Sequence, residues 1–170
     1  MSELLDIAFI SGLIGATMRM ATPIIFATLG EILAERSGVL NLGIEGIMLM
    51  GAMTGFLVTF STGSIWTGVL AAALIGMLLG LLMAFLAVDL GLSQHVSGLG
   101  ITLFSSGLAM FIYRLYVGSP TVPPTIEPFK QIALPVLSKI PLIGPGLFTQ
   151  YSLTYFAWLL IPLMSILLYK

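Results

Sequence analysis

The sequence contains no cysteine and few charged residues, and each shortage excludes a class of protein. Without cysteine the chain has no disulfide framework, no thiolate metal site and no thiol nucleophile. Only 8% of the residues are charged and 58% are hydrophobic, whereas a water-soluble domain carries about 25% charged residues. A net charge of −1 without a basic run excludes nucleic acid as a partner. The composition therefore predicts that the chain lies in lipid.

Five apolar stretches are long enough to cross a membrane as helices, which takes about 20 residues each. They cover residues 7–29, 44–60, 65–88, 99–117 and 151–168. The first contains Arg19 and Pro23, whereas the third carries no charge. The expected fold class is all-α, a polytopic bundle of about five transmembrane helices.

Residues 118–150 form the one long stretch that is unsuited to cross lipid as a regular helix. Most of the nine prolines lie there, together with Glu127, Lys130 and Lys139. Proline removes a backbone donor, and lipid supplies no replacement partner. We expect an extramembrane loop at 118–150 within a single transmembrane domain that takes in residues 1–170.

Small residues recur every fourth position along the third span. They are Gly68, Ala72, Gly76, Gly80 and Ala84. This spacing places them on one helical face, where small side chains let two membrane helices approach closely. The alternative is chance in a glycine-rich chain. The stripe predicts a packed bundle rather than isolated anchors.

Arg19 lies inside the first apolar stretch, where an unpaired charge is costly. One interpretation is that the residues before it form an interfacial helix, so that the guanidinium reaches the lipid headgroups. The other places Arg19 in a polar cavity.

The segment between the first two spans is the most polar part of the chain near a membrane span. Glu31 and Glu35 are one helical turn apart, and Gly38 is typical of a helix end. We expect a new helix to start at Asn41, which would cap it, with Glu45 in its first turn at the positive end of the dipole. The alternative is a broken or re-entrant segment that lines a polar pathway.

A second polar stretch, residues 93–98, precedes the fourth span. It contains His95, the only histidine, so a multi-histidine metal site is excluded and an interfacial turn is favoured over a proton relay. The sequence also has no phosphate-binding loop, no HExxH and no Gly-x-Ser-x-Gly motif. We therefore expect no enzyme activity, no catalytic residue, no metal and no cofactor.

Taken together, these polar blocks resemble one family of permeases. The carrying residues are Ala-Thr-Pro at 21–23, Glu-Arg-Ser-Gly-Val-Leu-Asn-Leu-Gly-Ile-Glu-Gly at 35–46 and Ser-Gln-His-Val-Ser-Gly-Leu at 93–99. The family is that of the inner-membrane permeases of bacterial ABC importers for branched-chain amino acids, ribose and other simple sugars, and nucleosides, and the chain looks most like the nucleoside branch. Ser93 and His95 depart from the family pattern, which often has Asn and a β-branched residue there. The positions that match its signature are Glu31, Glu35, Arg36, Gly38, Gly43, Gly46, Ser97 and Gly98.

The resemblance implies a multi-pass permease of the bacterial plasma membrane with the architecture of the ribose and vitamin B12 importers. Its implied partners are a second permease subunit, a cytosolic ATP-binding subunit and an extracytoplasmic substrate-binding lipoprotein. Asn41, Glu45, Gln94 and Arg19 are the candidates for the translocation path or a conformational switch. The family's cytoplasmic coupling segment would follow residue 170, so we expect an N-terminal fragment that corresponds to the first half of such a permease.

Two other classes fit the composition. An ion-coupled secondary carrier would place ionisable residues inside its spans, where they are scarce here. A membrane assembly subunit without a transport path would use the same small-residue packing. The energy source of solute uptake distinguishes the three classes.

Overall fold

The computed structural model describes residues 7–140 and 143–169, and it is mostly helical. The helices are α1 (Ile7–Arg36), α2 (Ile44–Thr62), α3 (Ile65–Ala84), α4 (Gln94–Val117), α5 (Gly144–Phe148) and α6 (Ser152–Tyr169). One π-helical turn, Phe85–Asp89, continues α3, and a 3-10 turn occupies Leu137–Lys139. Two short strands, β1 (Gln131–Ala133) and β2 (Thr149–Tyr151), pair antiparallel.

Five of these helices are long and apolar enough to cross a membrane: α1, α2, α3 with its π-helical turn, α4 and α6. The predicted all-α bundle of about five spans is therefore confirmed. The first apolar span was predicted to end at residue 29, whereas α1 continues through Pro23 and the charged residues to Arg36. The helix end that the sequence predicted at Gly38 is therefore confirmed. The fourth helix begins at Gln94, five residues before its predicted start, so Gln94 and His95 lie in a helical turn and not in a loop.

The chain divides into two compact units, which are described separately. Unit 1 contains residues 7–30 of α1 with residues 129–140 and 143–169, and unit 2 contains residues 31–128. In unit 2, α2 packs against both α3 and α4. The buried centre of unit 2 consists of Met50, Met53, Leu79 and Ala109.

In unit 1, α1 and α6 contact each other through polar and aromatic side chains. The hydroxyls of Thr22 and Thr154 are 3.0 Å apart in a buried hydrogen bond, and the rings of Phe26 and Phe156 lie 6.0 Å apart between centroids. Higher-numbered residues of α1 meet higher-numbered residues of α6, so the two helices run parallel.

The outward faces of the helices are apolar. Leu70 is 64% exposed and Leu103 is 75% exposed, which suits helices that are surrounded by lipid and other protein segments and not by water. Most of residues 118–150 is irregular, and no spanning helix lies within its described part. The position of residues 118–150 outside the membrane stays a prediction. The single domain over residues 1–170 stays a prediction as well.

Candidate functional site

A break between α1 and α2 brings most of the predicted polar residues of unit 2 together. The helix ends at Arg36, and the N–H of Gly38 donates to the carbonyl of Glu35 at 2.9 Å. Gly38 has φ +90°, a left-handed conformation that glycine adopts without a steric penalty. Residues 37–43, which we call the break segment, then run without regular structure to the start of α2.

Side chains satisfy backbone donors within the break segment. The N–H of Asn41 donates to Oε1 of Glu31 at 2.8 Å, and the N–H of Gly43 donates to Oδ1 of Asn41 at 3.0 Å. The second bond closes an Asx turn, which competes with helix formation. The other carboxylate oxygen of Glu31, Oε2, is buried and has no hydrogen-bond partner among the described residues.

Gln94, in the first turn of α4, holds the break segment at two points. Its Oε1 accepts the N–H of Leu40 at 2.8 Å, and its Nε2 donates to the carbonyl of Gly38 at 3.0 Å. Farther along α4, the hydroxyl of Thr102 donates to the carbonyl of Leu42 at 3.2 Å. These three bonds tie an irregular backbone to a regular helix, so the amide of Gln94 replaces partners that a helix would otherwise supply.

Glycines allow the two backbones to approach each other. A Cβ on Gly98 would lie 2.9 Å from the backbone nitrogen of Leu42, and a Cβ on Gly46 would lie 2.5 Å from Cα of Thr102. Gly43 also lies close to α4, since a Cβ on Gly43 would lie 3.2 Å from the carbonyl oxygen of Gly98. The glycines of both polar blocks are therefore needed where α2 and the break segment cross α4.

The expectation that a helix starts at Asn41 is wrong. The N-cap of α2 is Gly43, it makes no side-chain cap hydrogen bond, and the helix begins at Ile44. Because Asn41 lies in a turn, it does not share a helical face with Glu45. Glu45 lies in the first turn of α2 as predicted, but its side chain is exposed.

The remaining signature residues differ in exposure. Glu35 and Arg36 are exposed at the end of α1. Ser97 and Gly98 are buried in α4. Sequence reasoning missed Thr102, and the only available signal was its place two turns after Gln94 on the same helix.

The stripe of small residues on α3 contacts α2 only along part of its length. A Cβ on Gly68 would lie 2.6 Å from the carbonyl oxygen of Gly55, whereas Gly76 approaches a side chain only at 4.0 Å. Ala72 packs near Gly55, since its Cβ is 3.4 Å from the Cβ position of that glycine. Gly80 has open space within the described chain, and Ala84 is the last residue of α3. The close approach is therefore confined to the first half of α3.

Arg19 lies in unit 1, on the part of α1 that faces α5 and β2. A Cβ built on Gly15 would lie 3.2 Å from Nη1 of Arg19. The same Cβ would lie 3.4 Å from the carbonyl oxygen of Gly146 and 3.6 Å from Nε2 of Gln150. Gln150 is fully buried and donates a hydrogen bond from Nε2 to the carbonyl of Gly146. Gln150 lies at the end of a proline-rich segment and was not among the residues predicted for the site.

The chemistry available in this arrangement is hydrogen bonding. Within the described residues, no group of three or more His, Cys, Asp or Glu is placed to hold a metal ion. The break segment and its partners offer backbone amides, the side-chain amides of Asn41 and Gln94, and the carboxylate of Glu31. Such groups can bind a polar solute or hold a backbone in one of two conformations.

The whole chain was compared with known proteins. Residues 13–169 match the family model described as branched-chain amino acid transport system / permease component. The "Putative glucose ABC transporter permease protein TsgC13" of Haloferax volcanii is 39% identical over 167 residues, which is 96% of this chain and 49% of the relative. The guanosine ABC transporter permease protein NupQ of Bacillus subtilis is 34% identical over 154 residues, 87% of this chain and 48% of the relative.

A third relative, the nucleoside ABC transporter permease protein NupC of Lactococcus lactis, is 32% identical over 151 residues, 85% of this chain and 47% of the relative. The chain spans about half the length of these curated relatives. No solved structure matches it significantly. The matching family consists of transport permeases and not of enzymes. With five apolar helices and a family match over nearly its whole length, the chain is a multi-pass membrane protein that belongs to the branched-chain amino acid transport system permease family.

Proposed function

We propose that the chain forms part of the permease subunit of an ATP-driven importer for a small polar solute, a nucleoside or a simple sugar. The observation that carries this proposal is the similarity to glucose, guanosine and nucleoside permeases over 85% or more of the chain. That similarity takes in the break segment and the start of α4.

The proposal includes partners that supply energy and solute. A cytosolic ATP-binding subunit would hydrolyse ATP, an extracytoplasmic binding lipoprotein would deliver the solute, and a second permease subunit would complete the path. The names of the relatives support an ABC assembly of this kind.

We further propose that the break segment takes part in the transport cycle. Irregular backbone inside a membrane protein is tolerated where protein or water supplies its hydrogen-bond partners. Here the side chains of Glu31, Gln94 and Thr102 supply them through four hydrogen bonds. A segment held by few, separable bonds can change conformation at a small cost, which alternating access requires.

One observation favours a second candidate function, an ion-coupled carrier. Oε2 of Glu31 is buried without a hydrogen-bond partner among the described residues, and a carboxylate of this kind could bind a coupling cation or proton. The two candidates differ in their source of energy.

Uptake measured in proteoliposomes separates the candidates. The complete transporter that contains this chain would be reconstituted with its partners, and uptake of labelled guanosine and glucose would be measured with ATP, with a non-hydrolysable ATP analogue and with ionophores. We expect uptake that needs hydrolysable ATP and persists with ionophores. Uptake that ionophores abolish and that continues without ATP would establish the carrier instead.

A further inference from the structure

Among the described residues of its own unit, the guanidinium of Arg19 has no anionic partner. No residue among 7–30, 129–140 and 143–169 is Asp or Glu. Within this described part, Arg19 makes no hydrogen bond through its side chain and no ion pair. Arg19 is half-buried in a helix of membrane-spanning length. A charge in this position is retained where it faces a partner or a polar cavity.

The surroundings of Arg19 form a defined polar site. Gly15 leaves room for the guanidinium, and the carbonyl oxygen of Gly146 and the amide nitrogen of Gln150 lie close to the same point. Gln150 is fixed in place, because its Nε2 donates to the carbonyl of Gly146 and its backbone N–H donates to the hydroxyl of Tyr155 at 3.3 Å. The Oε1 atom of this fully buried side chain has no hydrogen-bond partner among the described residues.

Pro23 lies four residues after Arg19 in α1. In a regular helix the N–H of residue 23 would bond to the carbonyl of residue 19, and proline has no N–H to donate. The carbonyl of Arg19 therefore loses its usual helical partner. Among the described residues, the guanidinium of Arg19 and Oε1 of Gln150 have unused hydrogen-bonding capacity.

We propose that Arg19 binds the transported solute through the solute's neutral acceptor oxygens, and that Gln150 and Gly146 position the guanidinium. A sugar hydroxyl and a nucleobase edge both fit this site, because each offers a hydrogen-bond acceptor and a donor together. A carboxylate from a partner subunit would offer acceptors alone and would leave Oε1 of Gln150 unpaired. The identity of the solute class rests on the proposed importer function, whereas the binding role of Arg19 can be measured without ATP.

Equilibrium dialysis of the purified transporter tests this proposal, with labelled guanosine and labelled glucose as the two probes. The Arg19→Lys variant keeps the charge but loses the planar set of five N–H donors. We expect its Kd for the bound probe to rise about tenfold, since hydrogen bonds from a charged group are lost. A rise for guanosine alone assigns the nucleobase edge, and a rise that includes glucose assigns hydroxyl groups.

The control is Arg114→Lys, the same substitution at an exposed position near the end of α4, and its Kd should equal that of the parent. A second variant, Gly15→Ala, covers the case in which Arg19→Lys does not fold. Its added methyl group would lie 3.2 Å from Nη1 of Arg19 and should displace the guanidinium, raising the Kd several-fold. An unchanged Kd in Gly15→Ala and in folded Arg19→Lys would overturn the proposal. So would loss of subunit assembly in Arg19→Lys with a parental Kd in the assembled fraction, because that result assigns Arg19 to a partner's carboxylate. If parental binding is normal but uptake needs no ATP, only the importer function fails.

Discussion

Replacement of Gly46 by alanine should destabilise unit 2, because this glycine lies where α2 crosses α4. A Cβ at this position would be 2.5 Å from Cα of Thr102 and 2.9 Å from its carbonyl oxygen. Carbon atoms in contact prefer a separation of about 3.5–4.0 Å, so the overlap is about 1 Å. The atoms of Thr102 that the new Cβ would meet belong to the backbone, so a change of side-chain rotamer cannot relieve the overlap.

Overpacking of this kind typically costs about 1–3 kcal/mol. For a chain of this size, that corresponds to a fall in Tm of about 2–12 °C. The matched control is Gly107→Ala on α4, where the added Cβ meets nothing within 4 Å of the described chain. We expect its Tm to equal or exceed that of the parent, because alanine is the better helix former.

The assay is thermal unfolding of the purified protein in detergent, followed by the fluorescence of its two tryptophans. If Gly46→Ala and Gly107→Ala melt at the same temperature, the close crossing of α2 and α4 is refuted. If both melt well below the parent, the effect belongs to added methyl groups in general and not to this crossing.

Substitutions in α3, at Glu45 and at two labelling positions have the following expected results. Gly68→Leu should reduce the amount of folded protein in the membrane by separating α3 from α2, whereas Gly80→Leu on the same stripe should not, and equal amounts of the two variants on immunoblots would contradict the packing. Glu45→Gln should leave the free energy of unfolding within about 0.5 kcal/mol of the parent's, because this exposed side chain contributes through the helix dipole alone, and a larger loss in thermal unfolding would show an additional contact. In this cysteine-free chain, Thr125→Cys should react with an impermeant thiol reagent in intact cells and Ser37→Cys only after the membrane is opened, because the cytoplasmic coupling segment expected after residue 170 would place residues 118–150 outside the cell. The reverse pattern would invert this topology and would agree with the three basic residues Arg114, Lys130 and Lys139 against Arg36 and Lys170 on the other side.

The sequence was sufficient for the helices and for the place of the break. Apolar runs of spanning length determine the helices, because lipid leaves few alternatives. Gly38 marks the break, since its φ of +90° is costly for other residues. The apolar span was ended too early, at residue 29, because Glu31 resembles a membrane boundary in the sequence, whereas in the structure its carboxylate accepts the N–H of Asn41.

The partners across the fold could not be predicted. Gln94 bonds to residues 54 and 56 positions away, and such pairs depend on helix packing and not on local pattern. The same holds for Gln150, which reaches the surroundings of Arg19 only because α5 and β2 fold against α1. The loop composition of 118–150 predicted irregular structure but not the element that it contacts.

We propose that the break segment, held on α4 by Gln94, is needed for transport. The most direct measurement is the initial rate of ATP-dependent uptake by the complete transporter carrying Gln94→Leu, with equal amounts of protein in the membrane. Both the N–H of Leu40 and the carbonyl of Gly38 lose their side-chain partner in this variant, so we predict that the rate falls at least about tenfold, equivalent to about 1.4 kcal/mol. The control, Gln131→Leu, changes an exposed glutamine of β1 and should transport at the parental rate. A parental rate for Gln94→Leu would contradict the claim, because the segment would then function without the contacts that hold it.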